Sequence, residues 1–273
     1  LSLATMAADA AQWQSVLASL EHRISFRTAL LYSLVGTFFG NIGPSGMGTD
    51  IYRAAQMRIV GIPIGAAVRA VLATRLMAFV ALLAVIATGI PIVLGFPLEP
   101  RDWVLFVFVI VSALGALIVL LILEPVRKRI PILRRSDIVT KFAQVSKDLI
   151  RALSSWEHTP RSLFYSTLPH LLRIAIFAAI GAALHANMGF AALYALIPMA
   201  LLVAMIPISL ASWGIREISI VFFLGWAGAP ADVALGISIA FGISRLVMAA
   251  LGGIVWVFAR SHHYNFKAAD VSD

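Results

Sequence analysis

Two apolar runs, residues 76–95 and 103–123, follow one another with only a short connection carrying Pro97, Pro100 and Arg101 between them. Each supplies about the 20 apolar residues that a helix needs to cross a hydrocarbon core. In lipid every backbone N–H and C=O must be paired within the chain, so runs of this length fold as helices. The whole sequence agrees: 61% of it is hydrophobic, its mean hydropathy is +0.95, and only 12% is charged, against about 25% in an average soluble protein. A soluble core built from 273 residues could not hide so much apolar surface. Cysteine is absent, which excludes disulfides and thiolate chemistry.

The net charge of +8 would suggest nucleic acid in a soluble chain, but its distribution points elsewhere. Nine of the 21 Lys and Arg are Arg127, Lys128, Arg129, Arg134, Arg135, Lys141, Lys147, Arg151 and Arg161. A basic loop of this kind marks the cytoplasmic side of a membrane protein, and no nucleic-acid partner is expected. Within it, residues 137–153 fit an amphipathic helix lying on the membrane surface. The loop divides the chain into a first half, 1–123, and a second half, 162–260, with the loop at 124–161 and a polar tail at 261–273. One transmembrane domain over residues 1–273 is expected.

Further crossings are expected at residues 163–185 and 233–259. Residues 1–20, with Asp9, Gln12 and Trp13 near their middle, suit the end of a span or an interfacial helix. Leu1 is not preceded by a Met or by a basic segment ahead of an apolar core, which reads as a fragment or processed chain lacking upstream spans.

Each half also contains a short stretch broken by Gly and Pro. The first is GNIGPSGMGTDIYR from Gly40 to Arg53, and the second is PISLASWGIRE from Pro207 to Glu217. The apolar pieces beside them, 28–40 and 191–205, are too short to cross comfortably and fit half-helices. Broken backbone at membrane depth must line a cavity or be buried in protein, so matching breaks in two halves point to a substrate site. Charge bookkeeping gives the orientation. With the basic loop inside, only Arg101 is external, Arg173, Arg216 and Arg245 lie at membrane depth, and the remaining 17 Lys and Arg are cytoplasmic. The first broken pair then opens to the cytoplasm and the second to the exterior. The expected fold is therefore an all-α polytopic helical membrane protein with two re-entrant, broken-helix hairpins in an inverted-repeat arrangement.

In the first break Asn41, Pro44, Ser45 and Gly48 could hold a polar headgroup. Asp50 and Arg53, at i and i+3, can pair with each other, and Thr49 suits an N-cap. The competing reading of this glycine-rich stretch is close helix packing, as in the GxxxG spacing of Gly36 and Gly40. No Gly-Lys-Ser/Thr follows, which excludes a phosphate-binding P-loop. In the second break Pro207, Ser209 and Gly214 interrupt the helix ahead of Arg216 and Glu217. Arg216 suits a phosphate, although a structural ion pair between Arg216 and Glu217 explains the same residues. Arg173 and Arg245 could balance Glu217 or meet an anionic headgroup. His170 needs no ligand if it donates to a neighbouring helix. Arg69 and Arg75 are expected to snorkel to the interface, and His262 and His263 to sit in a solvated tail.

HExxH, GxSxG and Cys are all missing, and both deep acids have an Arg beside them, so no acid/base pair stands out. The expectation is a protein that is not an enzyme, without cofactor or metal. A scaffold or lipid-binding partner of a lipid biosynthetic enzyme and a small-solute transporter stay open as alternatives, as does a homo-oligomer.

The two breaks resemble the signature segments of the lysylphosphatidylglycerol synthase transmembrane family, also called flippase-like domain proteins. The first carries Asn41, Pro44, Ser45, Gly48, Asp50 and Arg53 in the pattern N-x-x-P-S-x-x-G-x-D-x-x-R; the second carries Pro207, Ile208, Ser209, Gly214, Arg216 and Glu217. Ser212 stands where the second pattern has a Gly. The likeness runs from about Trp13 to Phe258, and only 13 residues follow Arg260, so the aminoacyl-transferase domain of fused members is not expected. The resemblance implies a bacterial inner-membrane protein that moves an anionic or modified phospholipid, a hopanoid-type lipid or a polyprenyl-linked lipid between leaflets.

Overall fold

The computed structural model describes residues 1–41, 47–130, 136–154, 159–186, 188–206 and 213–261. All regular elements among them are α-helices: α1 (Ser2–Ser19), α2 (Phe26–Gly40), α3 (Met47–Ile59), α4 (Ile64–Val93), α5 (Pro100–Arg129), α6 (Asp137–Ser154), α7 (Thr159–Ala183), α8 (Phe190–Ala204), α9 (Ile215–Gly225) and α10 (Ala231–Ser261). Four of them, α4, α5, α7 and α10, are long and apolar enough to cross a membrane. They coincide with the four crossings expected from the apolar runs.

The helix starts follow local chemistry. Ser25 caps α2 by accepting the Thr28 N–H at 3.1 Å. Pro100 opens α5 in the one turn where its missing N–H costs nothing, and Asp102 reaches back to the Glu99 N–H at 3.3 Å. At α9 the preceding Gly214 has φ +86°, a conformation that a Cβ would strain, and its N–H donates to Glu217 Oε2 at 2.6 Å. Glu217 thereby closes the first turn of its own helix while placing a carboxylate at its positive end.

α2 and α3 run antiparallel, as successive contacts show: Phe39 lies against Gly48, Thr49 Oγ1 donates to Gly36 O at 2.8 Å, and Arg53 Nη2 donates to Ser33 Oγ at 2.7 Å. Small residues allow this approach. A Cβ on Gly48 would lie 2.0 Å from Phe39 O, and one on Gly40 2.3 Å from Thr49 Oγ1. Without a hydrophobic drive between helices in lipid, such backbone proximity is what holds helices together. Gly36 and Gly40 therefore pack on α3, and Gly252 of α10 sits as tightly on Leu34. Thr49 is not an N-cap, because α3 begins at Met47 and the hydroxyl is used across the helix pair. With 15 residues α2 is only about 22 Å long, short of the roughly 30 Å hydrocarbon core. α8, also with 15 residues, and α9, with 11, form a second short pair in contact with each other.

α1, expected to be the end of a span or an interfacial helix, packs along α7 and α2 and buries Trp13, Val16 and Leu17 completely. α6 spans the expected amphipathic stretch and turns Ala143, Val145, Ser146 and Leu149 inward. It rests on α5 and α4, where Asp148 pairs with Arg69 at 3.0 Å. The largest cluster of buried apolar residues joins α4, α7, α8, α9 and α10, with Phe177 and Phe241 stacked at 4.3 Å.

Candidate functional site

A cavity of about 400 Å³ opens among α1, α2, α3, α4, α7, α8, α9 and α10, so both halves of the chain build its wall. α5 and α6 contribute nothing to it. Five guanidinium groups reach the wall, those of Arg53, Arg75, Arg173, Arg216 and Arg245, together with the carboxylates of Asp9 and Asp50. A charge at the centre of a bilayer costs about 2.5–3.5 kcal/mol on the more lenient scale. Each of these groups therefore needs a partner, water or a ligand.

Three of the arginines have carboxylate partners. Arg173 Nη2 on α7 donates to both oxygens of Asp9 on α1, each at 2.8 Å. Arg75 on α4 donates to Asp50 on α3. Arg216 Nε donates to Glu217 Oε1 at 3.0 Å, and its guanidinium stacks over Trp213 at 4.7 Å. Arg216 is 2% exposed, so the ring and the carboxylate stand in for nearly all of its water.

The other two arginines of the wall have no carboxylate partner among the described residues. Arg53 is buried at 8% exposure, held by Ser33 and by the Trp13 ring at 4.8 Å, and its Nε has no hydrogen-bond partner among the described residues. Arg245 on α10 is half-buried and makes no ion pair or hydrogen bond among the described residues. His170 also lines the cavity; its Nε2 donates to Ala78 O at 3.0 Å, and its Nδ1 has no partner among the described residues.

Several expected pairings are corrected by this geometry. Asp50 does not pair with Arg53, although the two are neighbours on α3, because Arg53 turns into the α1–α2 interface and Arg75 reaches Asp50 from α4. Arg75 lines the cavity and does not snorkel. Arg173 does not balance Glu217; it is held by Asp9, a residue of α1 that the sequence did not mark as a partner. The pairing of Arg216 with Glu217 follows the structural ion-pair reading.

Of the residues singled out in the sequence, Asp50, Arg53, Arg173, Arg216 and Arg245 share the cavity wall. Asn41, Gly48, Gly214 and Glu217 stand behind it. Asn41 Nδ2 donates to Thr37 O at 2.9 Å, Gly48 seats α3 on α2, and Gly214 with Glu217 fixes the start of α9. Pro44, Ser45, Pro207 and Ser209, and the tail histidines His262 and His263, lie outside the described residues.

Sequence reading missed Asp9, Arg75, Ser33 and Gly242. A Cβ on Gly242 would lie 2.6 Å from Arg216 Nη2 and 2.8 Å from the Trp213 ring, so this glycine makes the space that the guanidinium occupies. Its only signal in the sequence was a glycine three residues before a buried-depth arginine, Arg245.

The family model for the lysylphosphatidylglycerol synthase TM region matches residues 1–253. The chain belongs to that family. No curated protein and no solved structure matches it. Membership of the lysylphosphatidylglycerol synthase TM region family, together with four helices of membrane-spanning length and apolarity, makes the chain an integral membrane protein.

Proposed function

We propose that the protein binds an anionic or modified membrane lipid by its headgroup and moves it between leaflets. The observation that carries this reading is the cavity itself. It gathers elements flanking both broken stretches, α2 and α3 on one side and α8 and α9 on the other, around a surplus of guanidinium groups. A volume of about 400 Å³ lies in the range of roughly 300–1,000 Å³ typical of ligand sites. It has room for a headgroup while acyl chains stay outside.

In this reading the two short pairs are re-entrant hairpins related as an inverted repeat, opening to opposite faces of a bacterial inner membrane, with the basic segment 124–161 and the C-terminus cytoplasmic. Asp50 and Arg53 meet the headgroup from the cytoplasmic side of this one cavity, and Arg216, Glu217 and Arg245 from its external side. The protein acts by binding and exchange of ion pairs, not by catalysis.

The test is a leaflet-exposure assay with labelled lipids in vesicles reconstituted with the whole chain. Arg53→Ala and Arg216→Ala are expected to slow lipid movement at least tenfold. Unchanged movement in both variants sinks the residue assignment. The Asp9–Arg173 and Asp50–Arg75 pairs, which bolt α1 to α7 and α3 to α4, favour a second reading, a rigid lipid-binding partner of a biosynthetic enzyme. That reading gives saturable lipid binding with no transbilayer movement.

A further inference from the structure

The charge inventory of the cavity goes further than "anionic", and it rests on the headgroup reading just given. Five arginines line the wall against two carboxylates, Asp9 and Asp50, with a third, Glu217, bound to Arg216 behind it. The site therefore carries an excess of two positive charges. The adjoining residues 42–46 and 207–212 contain no acidic side chain, so they cannot supply the missing counter-charge. The other acids with described side chains are committed elsewhere or lie outside the wall: Asp148 with Arg69, Glu124 with Arg127 and Lys128, Glu21 with Arg151, Glu99 with Arg101, and Asp102 and Asp232 in the first turns of α5 and α10.

The two charges have definite owners. Among the described residues Arg53 and Arg245 are the wall arginines without a carboxylate partner, and Arg53 keeps a buried Nε–H with no acceptor. Asp9 lies within electrostatic reach of both of them but is already shared with Arg173. A guanidinium binds phosphate oxygens through paired N–H groups, and two of them approaching from different helices suit an oxyanion with several free oxygens. A phosphodiester headgroup brings one negative charge and two free oxygens. A terminal phosphate brings close to two charges above its second ionisation near pH 6, and three free oxygens.

We propose that the cavity is built for a lipid ending in a dianionic phosphate, a phosphomonoester or diphosphate, in preference to a phosphodiester lipid, with Arg53 and Arg245 as the residues that read the second charge.

The test uses the full chain in detergent at pH 8 and measures thermal stabilisation and competitive binding. The probes are dioleoyl phosphatidate, dioleoyl phosphatidylglycerol, dioleoyl phosphatidylcholine and inorganic phosphate. Phosphatidate is expected to bind roughly tenfold or more tighter than phosphatidylglycerol, the effect of one added charge-assisted contact. In Arg245→Gln, which breaks no ion pair among the described residues, both anionic lipids are expected to bind more weakly and phosphatidate to lose the more, so that the preference collapses to near parity; a preference that survives in the folded variant overturns the role of Arg245. Equal binding of phosphatidate and phosphatidylglycerol, both above phosphatidylcholine, overturns the dianion proposal and leaves the anionic-headgroup reading standing. No preference for either over phosphatidylcholine overturns both. Inorganic phosphate stabilising the protein as strongly as phosphatidate assigns the site to a free anion and also overturns the proposal. The wild-type comparison alone decides between these outcomes if the variant does not fold.

Discussion

Asp9 of α1 and Arg173 of α7 are joined through both carboxylate oxygens at 2.8 Å, across 164 residues of sequence. The pair ties the first helix of the chain to the opening helix of its second half, at the wall of the cavity. It is partly exposed, at 32% and 26% for the two side chains, so it is worth less than a sealed pair. Asp9→Asn leaves a guanidinium facing the cavity without its carboxylate, and it should cost about 1–3 kcal/mol of stability. Thermal unfolding in detergent measures this. The double variant Asp9→Arg, Arg173→Asp should recover part of the loss, whereas two independent sites would simply add.

Gly242 and Arg216 compete for one volume, with a Cβ on the glycine 2.6 Å from Nη2. Gly242→Ala must push the guanidinium or the Trp213 ring aside, because the ring lies nearly as close, at 2.8 Å. Overpacking of this kind costs about 1–3 kcal/mol, and here it falls on the residue offered to the headgroup. Anionic-lipid binding is expected to fall at least tenfold. Gly181→Ala, whose Cβ would meet Ile237 at an ordinary 3.8 Å, should leave binding alone. Equal effects of the two substitutions would remove the special role of Gly242.

The long spans could be read from the chain because apolar length is a one-dimensional property: α4, α5, α7 and α10 coincide with runs that any crossing helix must have. The short helices could be read because Gly40, Gly214 and the neighbouring prolines interrupt such runs, and α6 because its apolar residues recur with helical spacing. Ion pairs between helices were not legible, unlike that of the neighbours Arg216 and Glu217. Asp50 has Arg53 one turn away, and only the packing of α4 on α3 shows that Arg75 wins it. Asp9 lay in a moderately apolar segment whose burial depends on α2 and α7, elements that its own sequence does not contain.

α5 turns almost nothing inward: Phe106 is its one buried residue among those described, while Val107, Phe108, Val111, Ile118 and Val119 are all more than half exposed. In a membrane such a surface is solvated by acyl chains at no cost. The absence of cysteine makes single labels clean. A nitroxide on Val111→Cys is expected to relax strongly with dissolved oxygen, which concentrates in hydrocarbon, and weakly with a water-soluble nickel chelate. A label on Leu196→Cys, at 0% exposure in the core, should respond to neither. Strong nickel relaxation at Val111 would place α5 in water and exclude it as a span.

The proposed orientation puts Arg101 outside and the basic segment 124–161 in the cytoplasm, and the two ends of α5 test it. Arg101 lies at the start of the helix and Lys128 at its end, about 40 Å apart at 1.5 Å per residue. That exceeds the roughly 30 Å hydrocarbon core, so a crossing α5 exposes the two on opposite faces. Arg101 pairs only with Glu99, and both side chains are well exposed at 77% and 64%, so replacing it should cost well under 1 kcal/mol. Lys128 is 68% exposed and is one of two cations on Glu124, with Arg127 the better placed, so its loss is equally mild. In sealed right-side-out vesicles a membrane-impermeant maleimide is expected to label Arg101→Cys at once and Lys128→Cys only after the membrane is opened. The reverse order would turn the whole arrangement over, and with it the faces assigned to Arg53 and Arg216. Labelling of both in sealed vesicles would mean that α5 does not cross.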